Sequence, residues 1–275
     1  MGKVNQSFET TGTEEEFLST YTKVKETYEK PSVTTDMVAL RFKKISKVNS
    51  KGNTEDRTVA QVLMVRRANH PYQHKLAFPG GFLDMGETLE QCAKRELLEE
   101  TGVDLPYHSI EQLGIYSEVN RDPRMRILTV PYLMYLPKGQ PVTAGDDAQS
   151  YEWVTIQHQS DGTFKYTQID DEGDSIQEYQ SSDFAFDHLT ILNDACQRIQ
   201  GRLSYHPTIL NIFNGRGFTI REAKDIYGCF DERYLTMTQS NFKRHHVKYF
   251  SETEFQVERL KRPANVYEYH NAKFK

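Results

Sequence analysis

Three glutamates at helical spacing are the residues of this sequence best suited to chemistry. Glu96, Glu99 and Glu100 occupy positions i, i+3 and i+4, and on an α-helix this spacing places all three carboxylates on one face. Like charges so close together destabilise a bare helix, and a divalent cation removes that penalty. Because every ligand is an oxygen, Mg²⁺ or Mn²⁺ is favoured over zinc. The spacing therefore predicts a magnesium or manganese site.

The residues around these glutamates have a fixed order. Gly81 is followed after five residues by Glu87, and after seven more by Arg95-Glu96-Leu97-Leu98-Glu99-Glu100-Thr101-Gly102-Val103. Arg95 is a permanent positive charge, and we expect it to orient Glu87 or Glu99. A lone run of glutamates is typical of a solvated acidic helix, but the accompanying arginine and glycines at fixed spacing favour a metal site.

The elements that must hold this cluster are a loop and a helix. Glycines at positions 80 and 81 let the backbone approach a metal or a phosphate closely, and Gly86 allows a sharp turn. A helix is predicted for Leu89–Thr101, with Thr88 as its N-cap and Gly102 ending it in the left-handed conformation.

This order matches the Nudix box in full, and the segment resembles the Nudix hydrolase superfamily. The resemblance implies an α/β/α sandwich around a mixed sheet and cleavage of a pyrophosphate in a nucleoside diphosphate linked to another moiety. It implies Glu96, Glu99 and Glu100 as metal ligands, with the carbonyl of Gly80 or Gly81 as a further one, and a metal-activated water. The general base stays open, with Glu99 as the first candidate and Asp147 as one outside the box. The implied catalytic residues are Glu87, Arg95, Glu99 and Glu100.

Segments outside the box are similar to a Nudix subgroup that carries a C-terminal winged helix. Some members of that subgroup are transcriptional regulators of NAD metabolism that sense ADP-ribose. The resemblance implies a Nudix hydrolase with ADP-ribose as the leading substrate, or alternatively a DNA-binding regulator that uses the Nudix domain as an ADP-ribose sensor. The similar segments are 76–82, 120–124, 144–148 with Trp153, and 185–188.

Four arginines are candidates for binding the nucleotide, together with Gly80 and Gly81. Arg66 and Arg67 end a strand just before the box loop, and one of them should face the ligand because neighbours on a strand point opposite ways. Arg121 and Arg124 either belong to a solvated loop or reach a phosphate, which suits their planar forks. For Trp153 a place in the core is favoured over a role as adenine platform.

The remaining pattern of the first 182 residues indicates an α+β domain with a mixed sheet. Strands are predicted around Val38–Phe42, Gln61–Val65 and Leu128–Leu136. A helix is expected over Thr13–Lys30, and a surface hairpin or extended insertion within the polar stretch 155–182. Apolar residues at helical spacing predict a connecting helix over Asp183–Leu203.

The C-terminal region has the order of a winged helix: a helix at Phe218–Gly228, a basic helix at Thr238–Tyr249 and a hairpin at Ser251–Tyr269. Between Thr238 and Arg262 six lysines and arginines outnumber three glutamates. This pattern favours binding to double-stranded DNA, with a packing or dimerisation domain as the alternative. The expected DNA contacts are Lys243, Arg244, Lys248 and Arg262, with Arg259 and Lys261 near the hairpin turn and His245 and His246 as surface or phosphate contacts.

Bulk properties limit the remaining function classes. The 275 residues include 37% hydrophobic and 27% charged residues, which is typical of a globular protein, and a net charge of −5 excludes a general polycation. We find no apolar run that could span a bilayer, so no membrane partner is expected. Three widely spaced cysteines favour a reducing cytoplasmic setting. The predicted organisation is a Nudix domain at 1–182, a connecting helix at 183–204 and a winged helix at 205–275, assembled as a homodimer.

Overall fold

The structure is a computed structural model, and it contains twelve strands and five α-helices within the part of the chain that it describes. No helix among these residues is long and apolar enough to cross a membrane. The described residues are 13–16, 18, 21, 30–48, 52–104, 110–137, 139, 141–142, 148–213, 216–257 and 263–270.

The first ten strands form one sheet in the order β10-β9-β8-β2-β1-β7-β5, with β3 paired to β2 and with β4 and β6 paired to β1. The strands are β1 (Ser32–Val48), β2 (Thr54–Arg67), β3 (Leu76–Ala77), β4 (Gly80–Phe82), β5 (Ile110–Gln112), β6 (Ile127–Thr129), β7 (Tyr132–Tyr135), β8 (Ala148–His158), β9 (Phe164–Ile169), β10 (Ser175–Glu178), β11 (Phe250–Val257) and β12 (Ala264–Tyr269). The helices are α1 (Leu89–Thr101), α2 (His188–Arg202), α3 (Ile220–Gly228), α4 (Arg233–Thr236) and α5 (Gln239–His246).

Strand β1 makes the sheet mixed, because it pairs antiparallel with β2 and parallel with β7. Its side chains alternate between two cores, since successive residues of a strand face opposite sides. Met37 and Ala39 pack with Leu97 of α1, whereas Val38 and Leu40 belong to the core that contains α2. The predicted α/β/α sandwich is therefore confirmed.

The capping residues in the sequence predict both ends of helix α1 correctly. Thr88 accepts from the backbone of Gln91 while the Gln91 side chain accepts from Thr88, which completes a capping box. Gly102 ends the helix with φ 69° and donates its N–H to Leu98. The helix predicted for Leu89–Thr101, with both of its caps, is confirmed.

The strand predicted for Leu128–Leu136 is wrong as a single element, because it divides into β6 and β7. Pro131 lies between the two and has no N–H to offer a neighbouring strand. Its carbonyl accepts instead from Leu113 at 2.8 Å. The break lets β6 pair beside the start of β1 and β7 pair further along it.

The polar stretch 155–182 does contain a hairpin, and it extends the main sheet. Strand β9 pairs antiparallel with β8, and β10 pairs with β9. At the turn, Gly173 lies so close to the Ile45 side chain that a methyl group would contact it at 2.9 Å. The hairpin is thereby packed on β1.

The connecting helix begins later than predicted, at His188 instead of Asp183. The preceding residues are drawn to the sheet: Phe184 forms a parallel bridge with Leu76, and Ala185 donates to the Leu76 carbonyl at 2.8 Å. Phe186 then takes a positive φ of 51°, which is unusual for a bulky residue. Between Asp183 and Asp187, hydrogen bonds to the distant strand residue Leu76 therefore outweigh the local helical pattern.

The C-terminal elements follow the predicted order of helix, turn, basic helix and hairpin. Thr219 and Glu222 form the capping box of α3, and Thr238 caps α5. The short helix α4 between them was not predicted. Hairpin β11–β12 gains a third segment through backbone hydrogen bonds of 2.8 Å between Phe218 and Tyr267.

One hydrophobic core joins the sheet, α2 and the C-terminal helices. The domain boundaries at residues 182 and 204 therefore stay a prediction.

For the helix expected at Thr13–Lys30, the described residues 14–16, 18 and 21 have helical backbone, and Thr13 exchanges capping hydrogen bonds with Glu16. The rest of that helix lies outside the described residues.

We expect Gly102→Ala to lower the free energy of unfolding by about 1–2 kcal/mol, because alanine is strained in the left-handed conformation that ends α1. Gly86→Ala is the matched control in the same motif, since a methyl group there meets no atom within 4 Å. Urea denaturation of both variants measures the difference. Equal losses of stability would contradict the assigned role of Gly102.

Candidate functional site

A cleft of about 580 Å³ opens at the end of the sheet where the box loop meets α1. This volume is in the range of pockets that bind small molecules and cofactors. Its walls come from β1, the box loop, the acidic face of α1, the loop at residues 121–124 and the start of α2. The box residues thus line one cavity together with segments far away in sequence.

The box loop lies against β1 with no room for side chains. Gly80 pairs with Asp36 and Gly81 with Thr35. A Cβ atom at Gly80 would collide with the Thr35 carbonyl, and one at Gly81 would collide with the carboxylate of Glu96. Glycine is therefore required at position 80, where the obstacle is backbone, and at position 81 a side chain would push the carboxylate of Glu96 away from the loop.

Arg95 holds the acidic side chains of the box in place. Its guanidinium forks Glu87 through Nε at 3.1 Å and Nη2 at 2.6 Å. Its Nη1 donates to Glu96 at 2.7 Å and to Glu99 at 3.1 Å. The sequence predicted that Arg95 orients Glu87 or Glu99, and Arg95 contacts both. Its hydrogen bonds to Glu87 lower the pKa of that carboxyl to about 2.

The three candidate metal ligands all line the cleft. The Glu99 side chain is 59% exposed, and Glu100 accepts from the Gly80 N–H at 3.2 Å. Burial raises the pKa of Glu96, so a nearby cation would stabilise its charged form. Among the described residues no three His, Cys, Asp or Glu side chains meet closely enough to hold a metal, and Arg95 lies between Glu96 and Glu99. The chemistry of the donors fits Mg²⁺, because all of them are oxygens. They lie beside the glycine loop, whose backbone a Cβ atom would keep at a greater distance.

A buried polar group outside the box also reaches the cleft. Asp36 accepts from the Thr129 hydroxyl at 2.5 Å. The Phe78 N–H donates to Nδ1 of His188 at 2.9 Å, which leaves the proton of a neutral imidazole on Nε2, 3.7 Å from Asp36. Burial lowers the pKa of His188 and favours that neutral form. Sequence reasoning missed Asp36, although a carboxylate just before the apolar run Met37–Leu40 was a signal for it.

The candidate arginines differ in where they point. Arg67 lines the cleft, and its Nε donates to the Pro71 carbonyl at 2.7 Å. Arg66 points away from the cleft and donates to Glu152 at 2.8 Å. The alternation along β2 thus selects Arg67, and the selection of Arg66 as a nucleotide contact is wrong in geometry.

Arg121 and Arg124 line the cleft, but carboxylates occupy their forks. Arg121 is buried rather than solvated and donates to both oxygens of Asp187, at 2.9 and 2.7 Å. Arg124 forks Asp122 in the same way and stays partly exposed. Arg124 is therefore the more accessible of the two for a phosphate.

Two other sequence-based candidates lie elsewhere. Trp153 does not line this cleft, and its ring packs beneath the guanidinium of Arg41 at 3.6 Å. An adenine platform at Trp153 is therefore wrong for this cavity. Asp147, the outside candidate for general base, falls outside the described residues.

The C-terminal basic surface is separate from the cleft. Arg244 and Lys248 are exposed on and just after α5, whereas Lys243 is tied to Glu252 at 2.9 Å. His246 is buried and stacks on Phe242 with ring centroids 4.4 Å apart, so the expected surface role of His246 is wrong. The hairpin-turn residues Arg259, Lys261 and Arg262 lie outside the described residues.

Comparison with known proteins identifies one matching domain family and several similar sequences and structures. The profile of the NUDIX domain matches residues 53–170. The crystal structure of a MutT/nudix family protein from Enterococcus faecalis is 31% identical and superposes with a TM-score of 0.73, with 94% of each chain covered. The ADPR responsive transcriptional repressor NtrR of Acinetobacter baylyi is 27% identical over 93% of this chain and 88% of its own. The ADP-ribose pyrophosphatase of Methanocaldococcus jannaschii is 34% identical over 40% of this chain and 63% of its own.

We expect Asp187→Ala to lower the free energy of unfolding by about 3 kcal/mol, because it removes both hydrogen bonds to the buried guanidinium of Arg121 and leaves it with the more distant carboxylate of Asp36, at 3.9 Å. Asp171→Ala is the control: it removes a carboxylate that is 96% exposed and paired with Lys43, and we expect a change below about 1 kcal/mol. Chemical denaturation measures both. Similar values for the two variants would show that Arg121 does not depend on Asp187.

Proposed function

The chain belongs to the MutT/Nudix family, and from this membership we propose that it is a Mg²⁺-dependent pyrophosphohydrolase of nucleoside diphosphates linked to another moiety, with ADP-ribose as substrate. One observation carries the proposal: the full box folds with the carboxylates of Glu96 and Glu100 against the Gly80–Gly81 backbone inside a cleft of nucleotide size. ADP-ribose is supported by the name of the archaeal relative and by that of the repressor. The free thiols of all three cysteines agree with a cytoplasmic protein.

In this mechanism the chain's own residues bind and orient the diphosphate. The metal, when bound by Glu96, Glu99 and Glu100, neutralises the phosphates and makes water a stronger nucleophile. Arg67 and the accessible edge of Arg124 contribute positive charge to the opposite wall. The loop backbone at Gly80 and Gly81 fixes the approach of the substrate.

The hydrolysis itself transfers one water to a phosphorus. A new P–O bond forms, the bridging P–O bond breaks, and the water proton passes to a carboxylate, for which Glu99 is our first candidate. ADP-ribose then gives AMP and ribose 5-phosphate. Arg95 keeps Glu87 ionised and ordered beneath these groups.

We expect Glu100→Gln to lower kcat on ADP-ribose at least about 100-fold at saturating Mg²⁺, equivalent to about 2.7 kcal/mol of transition-state stabilisation. Glu90→Gln is the matched control, since Glu90 lies on the same helix, is exposed and does not line the cleft. The assay separates AMP and ribose 5-phosphate across a panel of nucleotide diphosphates and triphosphates, with and without Mg²⁺. A preference for a triphosphate without ADP-ribose binding, or a fully active Glu100→Gln variant, would contradict the proposal.

The C-terminal fold favours a second function, and we propose that the chain is also a DNA-binding regulator for which the cleft serves as the sensor. Arg244 on helix α5 and Lys248 just after it are exposed beside a two-stranded wing, and helices of this kind enter the major groove. Lys243 borders the same surface between α5 and the hairpin. The relative from Acinetobacter baylyi is named as a transcriptional repressor that responds to ADPR. A homodimer would contact half-sites about one helical turn apart.

Helix α2 gives the two functions a physical connection. At its start, His188 accepts the Phe78 N–H and Asp187 pairs with Arg121, both at the cleft. Near its end, Gln200 donates to the Phe230 carbonyl at 3.0 Å in the C-terminal region. A ligand that moves the cleft wall would therefore act on an element that also contacts the C-terminal region.

We expect the chain to bind duplex DNA from upstream of its own gene with an affinity that falls steeply with salt, because phosphate contacts release counterions. Arg244→Ala combined with Lys248→Ala should weaken binding at least about tenfold. Lys165→Ala is the control, because it removes an exposed cation of β9. Fluorescence anisotropy at two salt concentrations, with and without ADP-ribose, measures these effects. Absent or salt-independent binding, unchanged in the double variant, would reduce the C-terminal region to a packing module.

A further inference from the structure

A second cavity, of about 200 Å³, lies where the sheet meets the C-terminal elements. It shares no lining residue with the cleft. The pairing of β7 with β1 ends at Leu40, and β1 continues past this point beside the 3-10 helix Thr208–Phe213. The walls that matter are two arginines and three aromatic rings, namely Arg41, Arg216, Phe42, Trp153 and Phe213.

Two contacts hold the planar guanidinium of Arg41 in this cavity: one on its flat face and one at its edge. Its guanidinium carbon lies 3.6 Å from the centroid of the Trp153 ring, which is a stacked cation–π arrangement. Its Nε donates to Gln61 at 3.0 Å, and Gln61 in turn donates to the Thr155 hydroxyl at 3.0 Å. Stacking leaves the in-plane donors of an arginine available, so the two terminal nitrogens are positioned for a ligand.

The charge of Arg41 has no counter-ion within the part of the chain that the structure describes, since no ion pair there includes this residue. Burial lowers its pKa to about 10. Arg121, which is buried, has the carboxylates of Asp187 and Asp36. A half-buried guanidinium without a carboxylate partner favours binding an anion. Burial removes part of the water that stabilises the positive charge, and a bound anion replaces that stabilisation.

The lining of this cavity also contains a second cation and apolar surface. Arg216 lies with its guanidinium carbon 4.9 Å from the Phe213 ring centroid, and it is 45% exposed while it contacts Glu222 at 3.3 Å. Phe42 and Phe213 contribute apolar surface to the same cavity. At about 200 Å³ the cavity is smaller than the pockets that hold nucleotide-sized ligands, roughly 300–1,000 Å³.

We propose that this cavity binds a small, flat aromatic carboxylate, with its carboxylate against the terminal nitrogens of Arg41 and its ring along the free edge of β1, toward Phe213. Such a ligand would contact residues of the Nudix sheet and of the C-terminal region at once. It would join the two regions at a point separate from the cleft. The inference does not depend on the hydrolase or the regulator proposed above, because it involves none of their residues.

Benzoate is the probe and benzamide its neutral isostere. Trp153 is the single tryptophan of the chain, so intrinsic fluorescence reports on this cavity. We expect a saturable fluorescence change with benzoate at constant ionic strength, and binding of benzamide at least about tenfold weaker. Equal binding of the two compounds, or a response to benzoate that chloride reproduces, would overturn the proposal.

Variants of the full-length chain connect the response to Arg41. Arg41→Met should weaken benzoate binding at least about tenfold, whereas Lys44→Met removes an exposed cation of the same strand and should leave it unchanged. Arg41→Lys keeps the charge but loses the planar fork, and we expect a several-fold loss in a variant that retains its fold. Titration calorimetry provides a readout independent of Trp153. Parental affinity in both Arg41 variants would show that the cavity is not an anion site.

Discussion

The close approach of the box loop to β1 is the constraint on which the rest of the site depends. Strand β4 pairs with β1 so closely that a Cβ atom at Gly80 or Gly81 would collide with neighbouring atoms. This contact lets the carboxylate of Glu96 lie directly on the loop backbone, and it brings the Gly80 N–H to Glu100. Arg95 then balances the acidic charge that accumulates there. The position of the acidic side chains in the cleft therefore depends on the lack of side chains at Gly80 and Gly81.

The sequence predicted the parts of the fold that short-range signals determine. Helix α1, its capping box and its left-handed glycine follow from neighbouring residues, and so do helices α3 and α5 and the C-terminal hairpin. The sequence did not predict the partition of residues 128–136 or the extended segment before α2. Both depend on hydrogen bonds to distant strands, such as the one from Ala185 to Leu76, and a local helical or strand pattern carries no information about them.

The same distinction separates the predicted and the missed parts of the site. The box residues lie within one loop and one helix, so their spacing alone indicated a shared face. Arg121 and Asp187 are 66 residues apart and Asp36 and Thr129 are 93 apart, so only the folded sheet brings each pair together. Arginines with similar sequence surroundings consequently differ in role: Arg67 faces the cleft, Arg66 faces Glu152, and Arg121 serves as a buried structural cation.

Helix α2 has a mechanical consequence because both of its ends are anchored. Its fifteen residues span about 22 Å at 1.5 Å per residue. A tilt of about 5° at the end held by His188 would displace the opposite end by about 2 Å, by the same helical geometry. Ile191, Leu192 and Ala195 are buried along its length, and close-packed interiors transmit strain instead of absorbing it. The helix therefore has the geometry of a lever arm: a small tilt at its cleft end would be enlarged at the end that contacts Phe230 in the C-terminal region.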